Sequence, residues 1–292
     1  MSQTSPLVSI IMPMRNSAAT VEATIRSMQR QTLEAWDLIV IDDGSTDRSA
    51  DIVEGLGDAR IRLVREPVGR GLAARLNQAI ALCGGEYIAR MDSDDLCFPE
   101  RLARQIERLR SDPSIDVLGC GAVVFDAQGA PVGLLPCATT HADIVRRPYV
   151  GFPIPHPSWC GQASWFRKYL YNPVLTKAED HDLMLRSFRA SRFAALDEVL
   201  LGYRQPRLDL GKMLPGRRAS MGAIWRDGVR SGETPAALRG VIMQCVKGAV
   251  DIATIKLGLN RVMQRHRLSP VPEAVARQWA ALRSLYFPPE RS

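Results

Sequence analysis

LIVIDDGSTD, residues 38–47, joins a short apolar run to an acidic turn. Residues 87–95 repeat this arrangement, because the run YIARM precedes Asp92-Ser93-Asp94-Asp95. Such runs are typical of buried parallel strands, and ligands of open α/β sheets bind outside the carboxyl ends of the strands. Carboxylates gathered there repel one another unless a cation or a ligand compensates their charge. Either cluster alone also fits a solvated acidic turn, but together they predict a site for Mg²⁺ or Mn²⁺ and phosphate groups.

Strands and helices are expected to alternate around these two clusters. Short apolar runs predict strands over residues 8–12, 36–41, 61–64 and 86–91. Helical patterns are expected over residues 17–32, 46–56, 72–82 and 99–109. We expect Pro13 to end the first strand and Ser17 to cap the first helix. The alternation predicts an α/β fold with a mainly parallel, doubly wound sheet.

The alternation weakens beyond about residue 112. The pattern there predicts a strand over residues 115–125, a loop over 149–157, a helix over 179–189 and a strand within 194–203. Beyond residue 206 the chain is expected to form helices rich in arginine. A sheet domain followed by a helical C-terminal appendage is therefore expected.

The composition is typical of a globular protein of the cytoplasm. Of the 292 residues, 46% are hydrophobic and 24% are charged. No apolar stretch reaches the roughly 18–20 uncharged residues of a membrane span, and we expect no signal peptide at the N-terminus. The six cysteines show neither a C-x-x-C pair nor a zinc-like spacing, which predicts reduced thiols.

The net charge of +7 is concentrated near the C-terminus. Residues 203–292 carry 16 Lys and Arg against 6 Asp and Glu, a balance of +10, whereas residues 1–202 carry 22 against 25, a balance of −3. A near-neutral body with a basic tail favours an anionic partner, either a membrane surface or a nucleic acid. A solvated basic face fits this charge pattern equally well.

Four motifs follow one another along the chain: Val8-Ser9-Ile10-Ile11-Met12-Pro13-Met14-Arg15-Asn16, the acidic turns at residues 42–47 and 92–95, and Glu179-Asp180. In order and spacing they resemble the motifs of family 2 glycosyltransferases, and the resemblance covers about residues 7–204. The resemblance implies a GT-A fold that transfers a sugar from a nucleotide-sugar to an acceptor hydroxyl with inversion.

The same resemblance implies a division of the chain. Residues 1–204 would form the GT-A domain, with a nucleotide-sugar half to about residue 112 and an acceptor half over about residues 113–204. Residues 205–292 would form a basic helical C-terminal region.

The resemblance also assigns residues to the nucleotide pocket. Pro13 and Arg15 would line it, and Asp43 would accept a hydrogen bond from the base, in particular from the N3–H of uracil. A carboxylate suits an imide N–H because it is only an acceptor. Alternatively, Asp42 or Asp43 would cap the helix expected from residue 46. Arg75 would contact the donor or form a surface salt bridge.

The second acidic turn and the Glu-Asp pair carry the chemistry that the resemblance implies. Asp92-Ser93-Asp94 resembles the D-x-D motif, in which Asp94 would bind Mn²⁺ or Mg²⁺ directly and Asp92 would help through metal or ribose contacts. The metal would bridge the donor phosphates and neutralise the leaving diphosphate. Asp180 would be the general base that takes the acceptor proton, and Glu179 would orient the acceptor. An acidic first helical turn is the structural alternative for this pair.

The expected partners are a UDP-sugar or a related nucleotide-sugar, and a sugar or lipid-linked saccharide acceptor. Cell-surface polysaccharide or glycolipid assembly is the expected setting, at the inner face of a membrane with anionic lipids and without a nucleic-acid partner. The Q-x-x-R-W signature of processive synthases is absent from the sequence, which favours single additions.

Three other functional classes also fit parts of the sequence. A sugar nucleotidyltransferase would share the fold and the metal, although residues 12–16 lack the glycines of a triphosphate loop. A non-catalytic nucleotide-sugar binding module is the second class. Gly69-Arg70-Gly71-Leu72-Ala73-Ala74 matches G-x-G-x-x-G/A and suggests an NAD-dependent oxidoreductase, but Pro67 and its neighbours separate it from the preceding strand.

Overall fold

The sheet and its flanking helices are seen in a computed structural model that describes residues 6–205, 209–259 and 267–287. The strands are β1 (Val8–Met14), β2 (Trp36–Asp43), β3 (Ile61–Glu66), β4 (Tyr87–Arg90), β5 (Leu96–Cys97), β6 (Val117–Phe125), β7 (Pro131–Leu134), β8 (Cys160–Gln162) and β9 (Phe193–Arg204). The helices of the sheet region are α1 (Val21–Gln29), α2 (Ser49–Gly55), α3 (Leu72–Leu82), α4 (Arg101–Ser111), α5 (His141–Ile144), α6 (Ala163–Lys168) and α7 (Glu179–Ser187). The C-terminal helices are α8 (Leu210–Ser231), α9 (Thr234–Lys256) and α10 (Glu273–Tyr286).

The strands form one sheet in the order β3-β2-β1-β4-β8-β6-β9-β5, and β7 pairs with β6. Its first half is parallel, since β1 pairs in parallel with β2 and β4, and β2 with β3. Its second half is more mixed than the sequence predicts, because β8 runs antiparallel to both β4 and β6 while β9 is parallel to β6. The expected α/β architecture with C-terminal helices is confirmed.

Helices cover both faces of the parallel half, as a doubly wound sheet requires. Ile10 and Met12 of β1 pack with the apolar face of α1 in one core, whereas Ile11 packs with α3 in another. Successive strand residues point to opposite faces, so a strand that is apolar throughout serves two helical layers. This explains the continuous apolar runs in the sequence.

The parallel register brings the site residues to one edge. Met14 lies beside Asp42, Asp43 beside Glu66, and Ile11 beside Arg90. The residues that follow β1, β2, β3 and β4 therefore all emerge at the carboxyl edge of the sheet. Both acidic turns lie at this edge, as predicted.

Several predicted boundaries are wrong. Pro13 does not end β1, which continues to Met14; β4 pairs with β1 only as far as Ile11, leaving an open side on which a residue without an N–H is tolerated. Ser17 does not cap α1, because the N-cap position is Thr20 and the Ser17 backbone N–H donates to Ser49 Oγ (2.7 Å). The second helix begins at Ser49 rather than at residue 46.

The C-terminal helices pack onto the sheet region. The Trp279 side chain of α10 is buried in the main core, its ring centroid 4.8 Å from that of Phe125, and its Nε1 donates to Gly129 O (2.9 Å). The division at residues 204 and 205 stays a prediction, since the two parts share this core. Of the described helices, none is long and apolar enough to cross a membrane.

Candidate active site

Asp43, the last residue of β2, has its carboxylate fixed by neighbouring donors. Oδ1 accepts from the Arg70 backbone N–H (2.7 Å) and from Arg75 Nε (2.6 Å), and Oδ2 accepts from the Gly71 backbone N–H (2.9 Å). Burial alone would raise the pKa of Asp43, but these hydrogen bonds outweigh it and lower the pKa. A carboxylate offers about four acceptor positions. The ionised Asp43 therefore keeps an acceptor position on Oδ2 for a further donor.

Arg75 lies beneath Asp43 and is buried, so the surface salt bridge expected as one alternative is wrong. Its side chain is 3% exposed and also forms an ion pair with Glu66 (3.3 Å) and hydrogen bonds with Gln78 Oε1 (2.8 Å) and Val68 O (2.5 Å). With these partners Arg75 positions Asp43 from within the protein. A contact between Arg75 and the donor stays a prediction.

The G-x-G turn after β3 holds Asp43 and the Arg15 side chain. The backbone N–H groups of Arg70 and Gly71 donate to Asp43, and Gly71 has a positive φ of 86°. A Cβ built on Gly69 would lie 2.6 Å from Arg15 Nη1, so the Arg15 guanidinium packs directly against this turn. Because these N–H groups already have an acceptor, the turn does not support the NAD-dependent oxidoreductase alternative.

Pro13 and Arg15 lie at the carboxyl edge of the sheet, near Asp43, and their contacts with a nucleotide stay a prediction. Pro13 is buried beside Ile41, and Arg15 is exposed just beyond β1 with its guanidinium against Gly69. The next residue, Asn16, ties the ends of β1 and β2 together, because its Oδ1 accepts from the Thr46 N–H (2.8 Å). The structure thus brings Pro13, Arg15, Asp43 and Arg75 to one place at the sheet edge.

Neither Asp42 nor Asp43 caps α2, whose N-cap position is Arg48 without a side-chain cap hydrogen bond. Asp42 Oδ1 accepts from the backbone N–H (3.1 Å) and hydroxyl (2.5 Å) of Ser45 inside the turn. Asp47 Oδ1 accepts from the Ser49 N–H (3.0 Å) at the first residue of α2. Asp42 therefore accepts hydrogen bonds from within the turn and Asp47 from the start of α2, whereas Asp43 accepts none from the turn and lies at the predicted nucleotide pocket.

Asp92, at the end of β4, forms a two-point ion pair with Arg90. Arg90 Nη1 donates to Asp92 Oδ2 (2.8 Å), and Nη2 lies 2.5 Å from Oδ1. The next residue, Ser93, is anchored to the start of α1, since its Oγ lies 2.8 Å from Ser17 Oγ and its carbonyl accepts from Thr20 Oγ1 (3.0 Å). The D-x-D turn is therefore held rigidly between β4 and α1.

Burial disfavours the charged form of the Asp94 and Asp95 carboxyl groups. Burial and the neighbouring Asp92 raise the pKa of Asp94 to about 6, while Arg204 and Arg90 oppose this. Burial raises the pKa of Asp95 well above its usual range, and its buried Oδ2 has no hydrogen-bond partner in the described part of the chain. Arg204, the last residue of β9, donates from its backbone N–H to Asp95 Oδ1 (2.8 Å) and from Nε to Asp94 O (2.8 Å).

These carboxylates suit a hard divalent cation that completes its shell with ligand oxygens. No group of three or more His, Cys, Asp or Glu side chains able to enclose a metal occurs among residues 6–205, 209–259 and 267–287. Mg²⁺ usually binds through one or two carboxylates plus substrate phosphates. Asp94, with Asp92 beside it, has the chemistry of such an open site, because a cation would relieve the raised pKa of Asp94.

Glu179 and Asp180 begin α7, and they differ in exposure. Glu179 is buried, and burial and Asp180 raise its pKa, with Arg90 acting in the opposite direction. Asp180 is half-buried and lines a cavity of about 290 Å³. The preceding Ala178 has a positive φ of 57°, which is uncommon for a residue with a Cβ. Of the two carboxylates, Asp180 is the one that faces open space.

The cavity in front of Asp180 includes residues from the C-terminal helices. Its walls include Phe152 and Trp159, Arg217 from α8, and Gln244 and Lys247 from α9. No pattern in the sequence predicts that the basic tail reaches this cavity, since the tail helices follow the last recognised motif.

Sequence reasoning also missed Arg90 and Tyr171. Arg90 is an arginine inside the apolar run YIARM, and that position was the available signal for a buried ion pair. Tyr171 is fixed by Asn77, which bonds to its backbone N–H (2.9 Å) and carbonyl (2.8 Å), and its hydroxyl lies 2.8 Å from His156 Nε2. Burial lowers the pKa of His156 well below its usual range, so His156 is neutral.

The chain is similar to several glycosyltransferases in sequence. Putative glycosyltransferase EpsE of Bacillus subtilis is 34% identical over 207 residues, which are 68% of this chain and 73% of that protein. The Escherichia coli protein WfgD, a UDP-Glc:α-D-GlcNAc-diphosphoundecaprenol β-1,3-glucosyltransferase, is 39% identical over 103 residues, 35% of this chain and 41% of that one.

Solved structures of glycosyltransferases share the fold. Residues 1–349 of S. aureus TarS in complex with UDP-GlcNAc match with a TM-score of 0.61 at 18% identity, covering 94% of this chain and 79% of that one. The mannosyltransferase PcManGT from Pyrobaculum calidifontis, in complex with GDP-Man and Mn²⁺, matches with a TM-score of 0.58 at 16% identity, covering 99% and 89%. The fold is therefore the GT-A fold that the sequence predicts.

The family model described as glycosyl transferase family 2 matches residues 9–170, more than half of the chain. This range contains β1, the turn at Asp43 and the D-x-D turn, which the structure brings to one edge of the sheet. The chain belongs to glycosyl transferase family 2.

Proposed function

We propose that this glycosyltransferase moves a sugar from a UDP-sugar to an acceptor hydroxyl, one sugar at a time and with inversion, and that it needs Mn²⁺ or Mg²⁺. The observation that carries the proposal is the ionised Asp43, held by three donors with an acceptor position free, at the same sheet edge as Asp94. The proposed setting is the assembly of a cell-surface polysaccharide or glycolipid.

Asp43 recognises the base in this proposal. Its low pKa keeps it an acceptor only, so an imide N–H such as that of uracil pairs with it and an adjacent base acceptor is repelled. Arg15 lies at the same edge with an exposed guanidinium, which suits an anionic nucleotide. UDP-GlcNAc bound to TarS and the UDP-glucose donor named for WfgD support a uridine donor.

Asp94 and Asp92 would hold the divalent cation. The bound cation supplies Lewis-acid stabilisation of the leaving diphosphate. Arg90 fixes Asp92 from below through its two-point ion pair, and Arg204 fixes the Asp94 backbone. The Asp92 carboxylate and the Asp94 backbone are therefore positioned before the donor arrives, which lowers the cost of assembling the site.

Asp180 acts as the general base. The acceptor oxygen forms a bond to the anomeric carbon of the donor, the bond from that carbon to the diphosphate breaks, and the acceptor proton passes to Asp180. Asp180 lines the open cavity, whereas Glu179 is buried. The raised pKa of Glu179 would by itself make it the stronger base, so the assignment rests on exposure: Asp180 lines the cavity, and Glu179, which is not in its lining, is assigned to orienting the acceptor.

Helix α9 supports a peripheral position at the cytoplasmic face of a membrane. Its inward residues are small or polar, among them Gly240, Gln244, Gly248 and Asp251. Its outward residues are apolar and 43–53% exposed: Leu238, Ile242, Met243, Val246 and Val250. Exposed Arg239 and Lys256 flank this apolar face. An apolar face with basic flanks is typical of a helix that lies in a membrane interface.

A lipid-linked saccharide is the acceptor that fits this position. WfgD acts on a diphosphoundecaprenol-linked sugar, and a membrane-bound enzyme would meet such an acceptor at the bilayer surface. A sugar acceptor free in solution is the second candidate. Nucleoside diphosphate release measured with lipid-linked and with free saccharides distinguishes the two.

The proposed function is tested with panels of donors and acceptors. Thermal stabilisation by UDP-, GDP- and dTDP-sugars is measured with and without Mn²⁺, because a ligand that binds the native state raises the melting temperature. Release of the nucleoside diphosphate is then measured with lipid-linked and free saccharides. We expect Mn²⁺-dependent stabilisation by UDP-sugars and acceptor-dependent UDP release. The absence of release with every donor and acceptor, despite donor binding, would favour a binding module.

A further inference from the structure

The cavity in front of Asp180 is lined by charges of both signs. Asp180 is a carboxylate in its lining, and Arg217 and Lys247 are cations in the same lining. Helices α8 and α9 thus each contribute a cation to the space from which the acceptor hydroxyl must approach the base.

The cations around Asp251 carry more charge than this carboxylate neutralises. Asp251 is fully buried and pairs with Arg217 Nε (2.5 Å) and with Arg267. Lys247 stands beside this group, and within the described chain its Nζ donates to the Val150 carbonyl (3.2 Å). One carboxylate therefore faces three cations, a local balance of +2.

The two cations of the cavity are preorganised to receive an anion. Arg217 is held by Asp251 and by Gln244 Oε1 (3.0 Å), which fixes the plane of its guanidinium. Burial lowers the pKa of Lys247, and the charges of Arg217 and Arg267 lower it further. An anion bound between them would relieve this repulsion.

A basic groove leads from Lys247 to the surface. A second cavity of about 380 Å³ shares Val150 and Lys247 with the first and is lined further out by Arg146 and Arg147. Asp143 is the carboxylate on this wall, and it lies 3.9 Å from Arg146. Two exposed arginines therefore adjoin the cations of the Asp180 cavity.

We propose that Arg217 and Lys247 bind a phosphate group of the acceptor and thereby place its hydroxyl at Asp180. The inference rests on the proposed function and adds the chemical class of the acceptor, a phosphate-bearing saccharide. A guanidinium and an ammonium together match the several oxygens of a phosphate better than the two of a carboxylate. The phosphate belongs either to a diphosphate that links the sugar to a lipid or to a phosphate on the saccharide itself.

The test compares acceptors that differ only in their phosphate. Wild-type enzyme is assayed by UDP release with a saccharide carrying a short alkyl diphosphate, the same saccharide with a phosphate on a sugar hydroxyl, and its uncharged alkyl glycoside. All three are soluble, which separates the cavity from any membrane binding. We expect the lowest KM with one of the phosphate-bearing acceptors, and which one it is identifies the source of the phosphate.

The variants Lys247→Gln and Arg217→Gln remove each cation in turn. Each should raise the KM of the phosphate-bearing acceptor about tenfold or more, because a hydrogen bond to a charged group is lost, while leaving the KM of the donor and of the alkyl glycoside unchanged. Lys247→Arg should restore most of the affinity. Lys168→Gln, at an exposed lysine that lines neither cavity, is the matched control and should behave as wild type.

A direct binding measurement accompanies the kinetics. Calorimetric titration with the alkyl diphosphate acceptor should show weaker binding to Lys247→Gln than to wild type at an unchanged melting temperature. Equal losses on the charged and the uncharged acceptors, or an unchanged KM in both variants, would overturn the inference. Wild-type enzyme that transfers no sugar from any donor would overturn the proposed function instead.

Discussion

Arg75 Nε and Asp43 Oδ1 lie 2.6 Å apart, and both side chains are buried beneath the expected nucleotide pocket. The pair couples the stability of the α3 start to the shape of that pocket. Removing one partner of a buried ion pair leaves an uncompensated charge, which costs several kcal/mol.

We predict that Arg75→Ala lowers both the melting temperature and the affinity for UDP. Asp43 would keep its two backbone donors but lose its charged partner, so a loss of about 3–5 kcal/mol of stability is expected. Thermal denaturation and calorimetry with UDP measure the two effects. Arg65→Ala is the matched control, because Arg65 pairs with Asp51 and Glu54 at 48% exposure and should change neither quantity.

We predict that Asp43→Ala weakens UDP binding even when the diphosphate is engaged. The lost hydrogen bond involves a charged acceptor, so about 1.5–3 kcal/mol of binding free energy should disappear. Calorimetry with UDP and with pyrophosphate separates the base from the phosphates, since only UDP should be affected. Equal affinity of the variant and the wild type for UDP would show that Asp43 does not contact the base.

Asp94→Ala should abolish transfer and the Mn²⁺-dependent part of donor binding while the fold persists. The carboxylate is partly solvent-accessible and carries a raised pKa, so its removal relieves repulsion and should not destabilise the protein. Donor titrations with Mn²⁺ and with EDTA measure the effect, and Asp51→Ala, an exposed carboxylate, serves as the control. Wild-type turnover of Asp94→Ala in Mn²⁺ would refute the metal assignment.

Asp180→Asn should bind donor and metal normally and transfer sugar very slowly. A positioned base contributes about 10²–10⁴-fold to the rate, and its loss should appear in kcat rather than in donor affinity. Glu179→Gln should be milder, because Glu179 is buried away from the cavity. The opposite order of the two kcat values would identify Glu179 as the base.

The apolar face of α9 gives a prediction about membranes. Ile242→Glu combined with Val246→Glu should abolish co-sedimentation with vesicles containing anionic lipid, yet leave the melting temperature unchanged because both side chains are exposed. Val174→Glu, at a valine that is 83% exposed elsewhere on the surface, is the control. Binding that persists in the double variant, or that ignores salt and anionic lipid, would rule out this face as the membrane contact.

The parallel half of the sheet was predictable from sequence for a local reason. β1 and β2 are apolar on both faces, and each strand of this half ends at a polar turn. Both the strand pattern and the strand boundary can therefore be read from the sequence. The same logic placed Asp43 and Asp94 at one edge. The second half was less predictable, because β5 and β8 have two and three residues and show no period.

The partners within the site could not be predicted from the sequence. Arg90 pairs with Asp92 two positions away, but whether a strand arginine points toward that turn depends on the tertiary fold. The G-x-G turn resembles a dinucleotide motif locally, and only the packing of β2 beside β3 shows that its N–H groups serve Asp43. Residues of α8 and α9 line the Asp180 cavity although they lie far from Asp180 in the sequence. No local sequence pattern predicts contacts over such separations.

The family match ends at residue 170, yet Arg217, Gln244 and Lys247 lie beyond it and line the cavity of the proposed base. In the proposed function the acceptor side is therefore built partly from residues outside the family match. Substitutions in α8 and α9 can then alter acceptor binding without changing the turns that carry Asp43 and Asp94.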